Sequence, residues 1–203
     1  MKIAVAGASG RAGSSITAEL ARRGHAVTAI ARHPQNVAVQ PNVTALQGDV
    51  LDQAGLTRLW AGHDAAVSSV HFLASDPEKL IGAAKDSKVG RYLVVGGAGS
   101  LEVAPGVRLV TTPGFPAQYK AEAEKGAAFL DLLGQEKTLN WTFLSPSALF
   151  VEGERTATFR LGTDQLLTAA DGKSWISFED FAVALADEIE RPAHIRKRFT
   201  VGY

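Results

Sequence analysis

Short runs of apolar residues recur along the chain, each followed by a stretch whose apolar positions fall three or four apart. Residues 3–6 form the first run and end at Gly7. In residues 14–23, Ile16 and Leu20 lie four apart and Gly24 follows, so a strand and then a helix are predicted. The same alternation predicts strands at 26–31, 43–46, 65–67, 91–95 and 141–144. Between them, Leu56, Leu59 and Trp60 make one helical stripe, Leu80, Ala83 and Ala84 another reaching Lys88, and residues 117–133 a long third helix. Strands unbroken by polar residues and separated by helices belong to a parallel sheet covered on both faces. The expected fold is therefore α/β, a Rossmann-like doubly wound sheet.

After Leu144 the pattern changes. Ser145-Pro146 interrupts it, two weak strands are predicted at 157–160 and 165–168, and a helix at 178–189 precedes a last strand at 199–201. The chain has 203 residues, one domain of about 150 residues plus an excess too small for a second core. A single domain over 1–203 is expected, with residues 145–175 forming a small cap on the substrate side.

Charge removes several partners. Lys plus Arg total 21 and Asp plus Glu total 21, and no long run of like charge occurs. Nucleic acid, membrane surfaces and polyanionic substrates want a net basic face, so the expected partner is a small molecule. Monomer and homodimer both stay open. Cysteine is absent, which removes disulfides, thiolate metal sites and cysteine nucleophiles. No histidine or carboxylate spacing suits a metal, so none is expected. The opening apolar run is too short for a signal peptide, so the expected compartment is the cytoplasm.

The candidate chemistry begins at Gly7. The segment Gly7-Ala8-Ser9-Gly10-Arg11-Ala12-Gly13 is a G-x-x-G-x-x-G loop between the first strand and the first helix. Glycines there permit a tight turn and bring helix amides against a pyrophosphate, so Gly7, Ser9, Gly10, Arg11, Ala12 and Gly13 are candidate cofactor contacts. An acid at the end of the second strand would accept from the ribose of NAD, whereas a cation there suits the 2′-phosphate of NADP. The strand instead ends Ala31-Arg32-His33. Arg32, with Arg11 in the loop, favours NADP(H) over NAD(H).

The segments 7–13, 29–32 and Gly48-Asp49-Val50 together resemble the atypical short-chain dehydrogenase/reductase families. Residues 145–150, 153–156, Leu161-Gly162 and Arg198-Phe199-Thr200-Val201 narrow the resemblance to the NADH-flavin reductase type, which is related to biliverdin reductase B and NmrA-like proteins. The resemblance spans the whole chain. It implies that Asp49 and Val50 contact adenine, and that Ser68, Ser69 and Gly96 lie beside the dinucleotide. Ser100, Ser147 and His71 become substrate-side candidates for catalysis, and Phe150, Glu154 and Arg155 would lie over the pocket.

One departure bears on the chemistry. Typical short-chain dehydrogenases pair a tyrosine with a lysine four residues later, so that the cation eases proton transfer by the phenol. Four residues after Tyr92 and Tyr119 stand Gly96 and Ala123, and Tyr203 ends the sequence. The relay is absent, which also weakens a sugar-nucleotide epimerase reading. Hydride transfer to a flavin-like or quinone-like acceptor leans less on such a relay, with flavin a substrate rather than a bound prosthetic group. The alternative is a non-catalytic, NmrA-like NADP-sensing regulator.

Overall fold

The computed structural model describes residues 1–203. The chain opens with β1 (Lys2–Ala6), α1 (Arg11–Arg22), β2 (Ala26–Ala31), β3 (Val43–Gln47), α2 (Gln53–Trp60), β4 (Ala65–Ser68), α3 (Pro77–Asp86) and β5 (Arg91–Val95). A small hairpin follows, β6 (Glu102–Ala104) and β7 (Val107–Arg108), and then α4 (Ala117–Gln135) and β8 (Trp141–Pro146). The remainder holds β9 (Leu149–Val151), β10 (Arg160–Gly162), β11 (Trp175–Ser177), α5 (Phe178–Glu190) and β12 (Lys197–Gly202).

Eight strands form one sheet in the order β10-β12-β8-β5-β4-β1-β2-β3. All pairings are parallel except β10 against β12. From β1 the chain steps outward through β2 to β3, then returns to place β4 on β1's other side. Order therefore reverses at β1/β4, and a crevice opens there at the carboxyl ends of the strands.

Alternation within β1 shows how the layers are held. Ile3 and Val5 face α1 and α5, joining Ile16, Leu20, Phe181, Leu185 and Phe199 in one apolar core. Ala4 and Ala6 face α2, α3 and α4, in a second core with Leu56, Trp60, Leu80, Phe129 and Phe143. A strand buried on both faces has no room for polar alternation, which is why these runs read as continuous apolar segments.

Helix starts differ in a way that matters for the site. Asp52, Asp76 and Ser177 cap α2, α3 and α5 with side-chain oxygens that accept from Gly55, from Glu78 and Lys79, and from Asp180. Helix α1 starts at Gly10 with no side-chain cap and no acid in its first turn. Its free amides are left for something else.

The segment beyond β8 is built from short strands. Leu149–Val151 and Trp175–Ser177 pair with each other in a separate two-stranded parallel sheet. Residues 152–158 lie along α1 and α5, where Asp180 accepts from Thr156 Oγ1 (2.5 Å) and from the Ala157 N–H (2.7 Å). Residues 160–162 add an edge to the main sheet. The predicted strand 157–160 is thus displaced: Ala157 takes a left-handed φ of 55°, which no strand accommodates, so pairing begins at Arg160. The predicted strand 165–168 reduces to one bridge from Gln165 to Glu102.

Two buried carboxylates tie this region together. Glu19, only 4% exposed, accepts from Arg22, Arg23 and Arg155 at 2.8–2.9 Å. Burial would raise its pKa, but the hydrogen bonds from Arg155, Arg22 and Arg23 outweigh that and hold it far below the usual carboxylate range. Glu188 is likewise held down: burial opposes, and His194, the Ala193 and His194 amides and Arg91 prevail. Both folded pKa values lie below the unfolded ones, so the stability they contribute is present above the unfolded carboxylate pKa of about 4.3 and fades as pH falls from there. Thermal midpoints should be flat near neutrality and fall steeply between about pH 4 and pH 3, with a shallower fall in Glu19→Gln.

Candidate dinucleotide site

The site is built by backbone before side chains. Gly7 has φ +81°, and a Cβ there would run into the Ser69 carbonyl oxygen. A Cβ on Gly13 would strike the Gly7 carbonyl. These two glycines let strand end, loop and helix close on one another. Gly10 is different: its added Cβ would meet only the Gly7 oxygen, at 3.3 Å, so its exposed side is open. Ser9 is exposed beside it.

Gly10 donates to Gly7 O and Ser14 to Gly10 O, while the amides of Arg11, Ala12 and Gly13 have no acceptor in the protein. These free donors at a helix N-terminus, beside an open glycine face, fit a dinucleotide pyrophosphate. Arg11 and Arg32 are both exposed, and neither guanidinium enters an ion pair. Arg32 reaches this edge because β2 ends at Ala31, one strand over from β1.

Asp49 and Val50 follow β3 at the same edge. The Asp49 carboxylate is exposed and accepts from the Leu51 N–H at 2.9 Å, while Val50 packs against the core under α2 and α3. Ser69 anchors to β1 through its N–H to Ala6 O at 2.8 Å. Gly96 ends β5, donating to Leu144 O, and a Cβ on it would collide with the Phe143 ring.

Several expected contacts are corrected. The hydroxyl of Ser68 is buried against Tyr92 Oη at 2.8 Å, so it turns into the core instead of toward a cofactor. That same burial pushes the Tyr92 phenol well above its ordinary pKa. Ser147, 1% exposed, donates to Val201 O at 3.0 Å and serves the sheet. Ser100 is buried and accepts from Arg198 at 3.4 Å; Arg198 itself is held by Asp164. Phe150 packs between Phe178 and Phe181, with ring centroids 4.5 and 4.7 Å away, as part of the core. Arg155 is committed to Glu19. Glu154 is exposed, and its carbonyl accepts from Ser177 Oγ. The side chains of Ser68, Ser147, Phe150 and Arg155 are engaged within the protein, whereas the Glu154 carboxylate is exposed and makes no hydrogen bond.

His71 lies in the turn that follows β4. Its side chain is 88% exposed, and its Nδ1 lies 3.3 Å from Glu122 on α4. Tyr119, three residues before Glu122, is 62% exposed. Glu122 escaped the sequence reading because its partners are about fifty positions away, beyond any spacing rule. Ser145, near the end of β8, has a buried hydroxyl with no partner.

No helix is long and apolar enough to cross a membrane. The profile of the NAD(P)H-binding family matches residues 7–192. The Bacillus subtilis protein YwnB is 41% identical over 209 residues, spanning 99% of this chain and 98% of that one. A solved structure from Burkholderia pseudomallei, described as a candidate exported protein, is 43% identical with TM-score 0.90 and covers 100% of both chains. Another from Streptococcus pneumoniae, described as a candidate NADH-flavin reductase, is 36% identical with TM-score 0.80, covering 100% of this chain and 99% of that one. The glycine loop, the doubly wound sheet and these matches agree: the chain belongs to the NAD(P)H-binding family.

Proposed function

We propose that the protein is an NADPH-dependent oxidoreductase that passes hydride to a planar, electron-poor acceptor of the flavin or quinone class. The observation that carries the cofactor preference is the pair of exposed, unpaired guanidinium groups, Arg11 and Arg32, flanking the free amides of α1 where an NAD site would place an acid. When bound, the dinucleotide supplies the hydride. The chain's own task is to orient it: Arg11, Ala12 and Gly13 amides on the pyrophosphate, Asp49 and Val50 at the adenine, and Ser69 and Gly96 along the strand ends.

The acceptor class rests on the absence of a tyrosine–lysine relay. Tyr119 has Ala123 one turn on, and Tyr92 is sealed in the core, so neither works with a lysine as the usual alcohol relay. A planar acceptor that takes hydride into its ring system leans less on that relay, and the description of the Streptococcus relative points the same way. The proposed compartment is the cytoplasm, where reduced dinucleotide is made.

Purified protein mixed with NADPH and FMN, riboflavin or a soluble naphthoquinone should oxidise the dinucleotide. Tight binding that discriminates oxidised from reduced dinucleotide, with no turnover on any acceptor, would replace this reading with the NmrA-like sensor.

A further inference from the structure

Glu122, a half-buried carboxylate on α4, is held by three partners. It accepts from the backbone N–H groups of Phe72 (2.7 Å) and Leu73 (2.8 Å), and lies 3.3 Å from His71 Nδ1. A carboxylate only accepts, so Nδ1 carries the hydrogen of that contact and Nε2 is left without a protein partner on a side chain that is 88% exposed. A carboxylate that orients an imidazole through one nitrogen leaves the other aimed for proton transfer.

The pair sits where a reacting group would be needed. The Ser69 backbone closes on Gly7, and a Cβ on Gly97 would touch the Phe72 ring at 3.5 Å. Residues 69–72 therefore bridge the glycine loop and the end of β5, the stretch of strand ends beside the pyrophosphate site. Tyr119 and Lys125, each three residues from Glu122 on α4, are the other titratable groups on that helix face.

Building on the reductase reading, we propose that His71 and Glu122 are the proton-donating pair of this site when its acceptor is a quinone. The quinone takes a hydride, with both electrons of the breaking C–H bond, from the reduced nicotinamide. The oxygen anion formed on the quinone takes the proton from Nε2 of the His71 imidazolium, giving the hydroquinone. Neutral His71 regains its proton from water, so the sum is one NADPH, one quinone and one proton to NADP⁺ and hydroquinone. Glu122 holds the ring in place through Nδ1.

The test compares wild type, His71→Asn and Glu122→Gln. Proton–nitrogen NMR of the cofactor-free protein should show neutral His71 as a single tautomer protonated at Nδ1, and Glu122→Gln should weaken that preference. NADPH affinity should be unchanged in His71→Asn, whose exposed side chain leaves the fold alone. Single-turnover reduction of a soluble naphthoquinone should fall about 100-fold in that variant, and the wild-type decline in rate with rising pH should vanish with the histidine. An active wild type with His71→Asn equally fast and equally pH-dependent overturns the proton-donor assignment alone. A wild type that binds NADPH yet reduces no acceptor overturns the reductase reading, and the assignment with it.

Discussion

Gly7→Ala is expected to be the most damaging single-methyl change in the chain. Its φ of +81° lies where an L-residue is strained, at about 1–2 kcal/mol. The new Cβ would also meet the Ser69 carbonyl and the Val70 side chain at once, and overpacking against backbone adds about 1–3 kcal/mol. The neighbour that must yield is β4's exit, which pairs with β1 through the Ser69 N–H to Ala6 O. A stability loss of about 2–5 kcal/mol in urea unfolding follows, together with loss of dinucleotide binding. Gly24→Ala is the control: its φ is +83° but nothing lies within 4 Å of its Cβ, so only the strain of about 1–2 kcal/mol should appear, with binding intact.

Arg32→Glu should separate the two dinucleotides. Arg32 is exposed and unpaired, so its replacement costs the free protein little. In the complex, a charge-assisted hydrogen bond to the 2′-phosphate is worth about 1.5–3 kcal/mol, and reversing the charge adds repulsion. NADPH affinity should drop about 10- to 100-fold or more. NADH affinity should hold or rise, because a glutamate there can accept from ribose hydroxyls. Calorimetric titration of both dinucleotides into both proteins reads this directly, and equal NADPH affinity in the variant would remove Arg32 from the site.

Local patterns carried the parts of the fold that local physics decides. β5 runs from Arg91 to Val95 as its apolar run predicts, and the glycine loop was readable because turn, strand and helix are neighbours in sequence. Contacts between distant residues were not. Arg155 looked like a pocket residue until the fold brought it to Glu19, 136 positions away, where a buried carboxylate demanded a partner. Ser68 ends a strand at the crevice, but the alternation of strand faces sends its hydroxyl inward to Tyr92. His71 and Glu122 were both visible as residues, and only the packing of the turn after β4 on α4 makes them a pair. The segment after β8 resisted reading because its strands are three residues long and its path is set by polar contacts with Asp180 and Glu19.

The most direct test of the account follows the reduced-nicotinamide absorbance of NADPH, and in parallel of NADH, after mixing with flavin-free protein and a soluble naphthoquinone. Enzyme-dependent oxidation at a kcat/KM at least about tenfold higher with NADPH than with NADH is the predicted result, from the 2′-phosphate contact. No oxidation of either dinucleotide, or a preference for NADH, would contradict it.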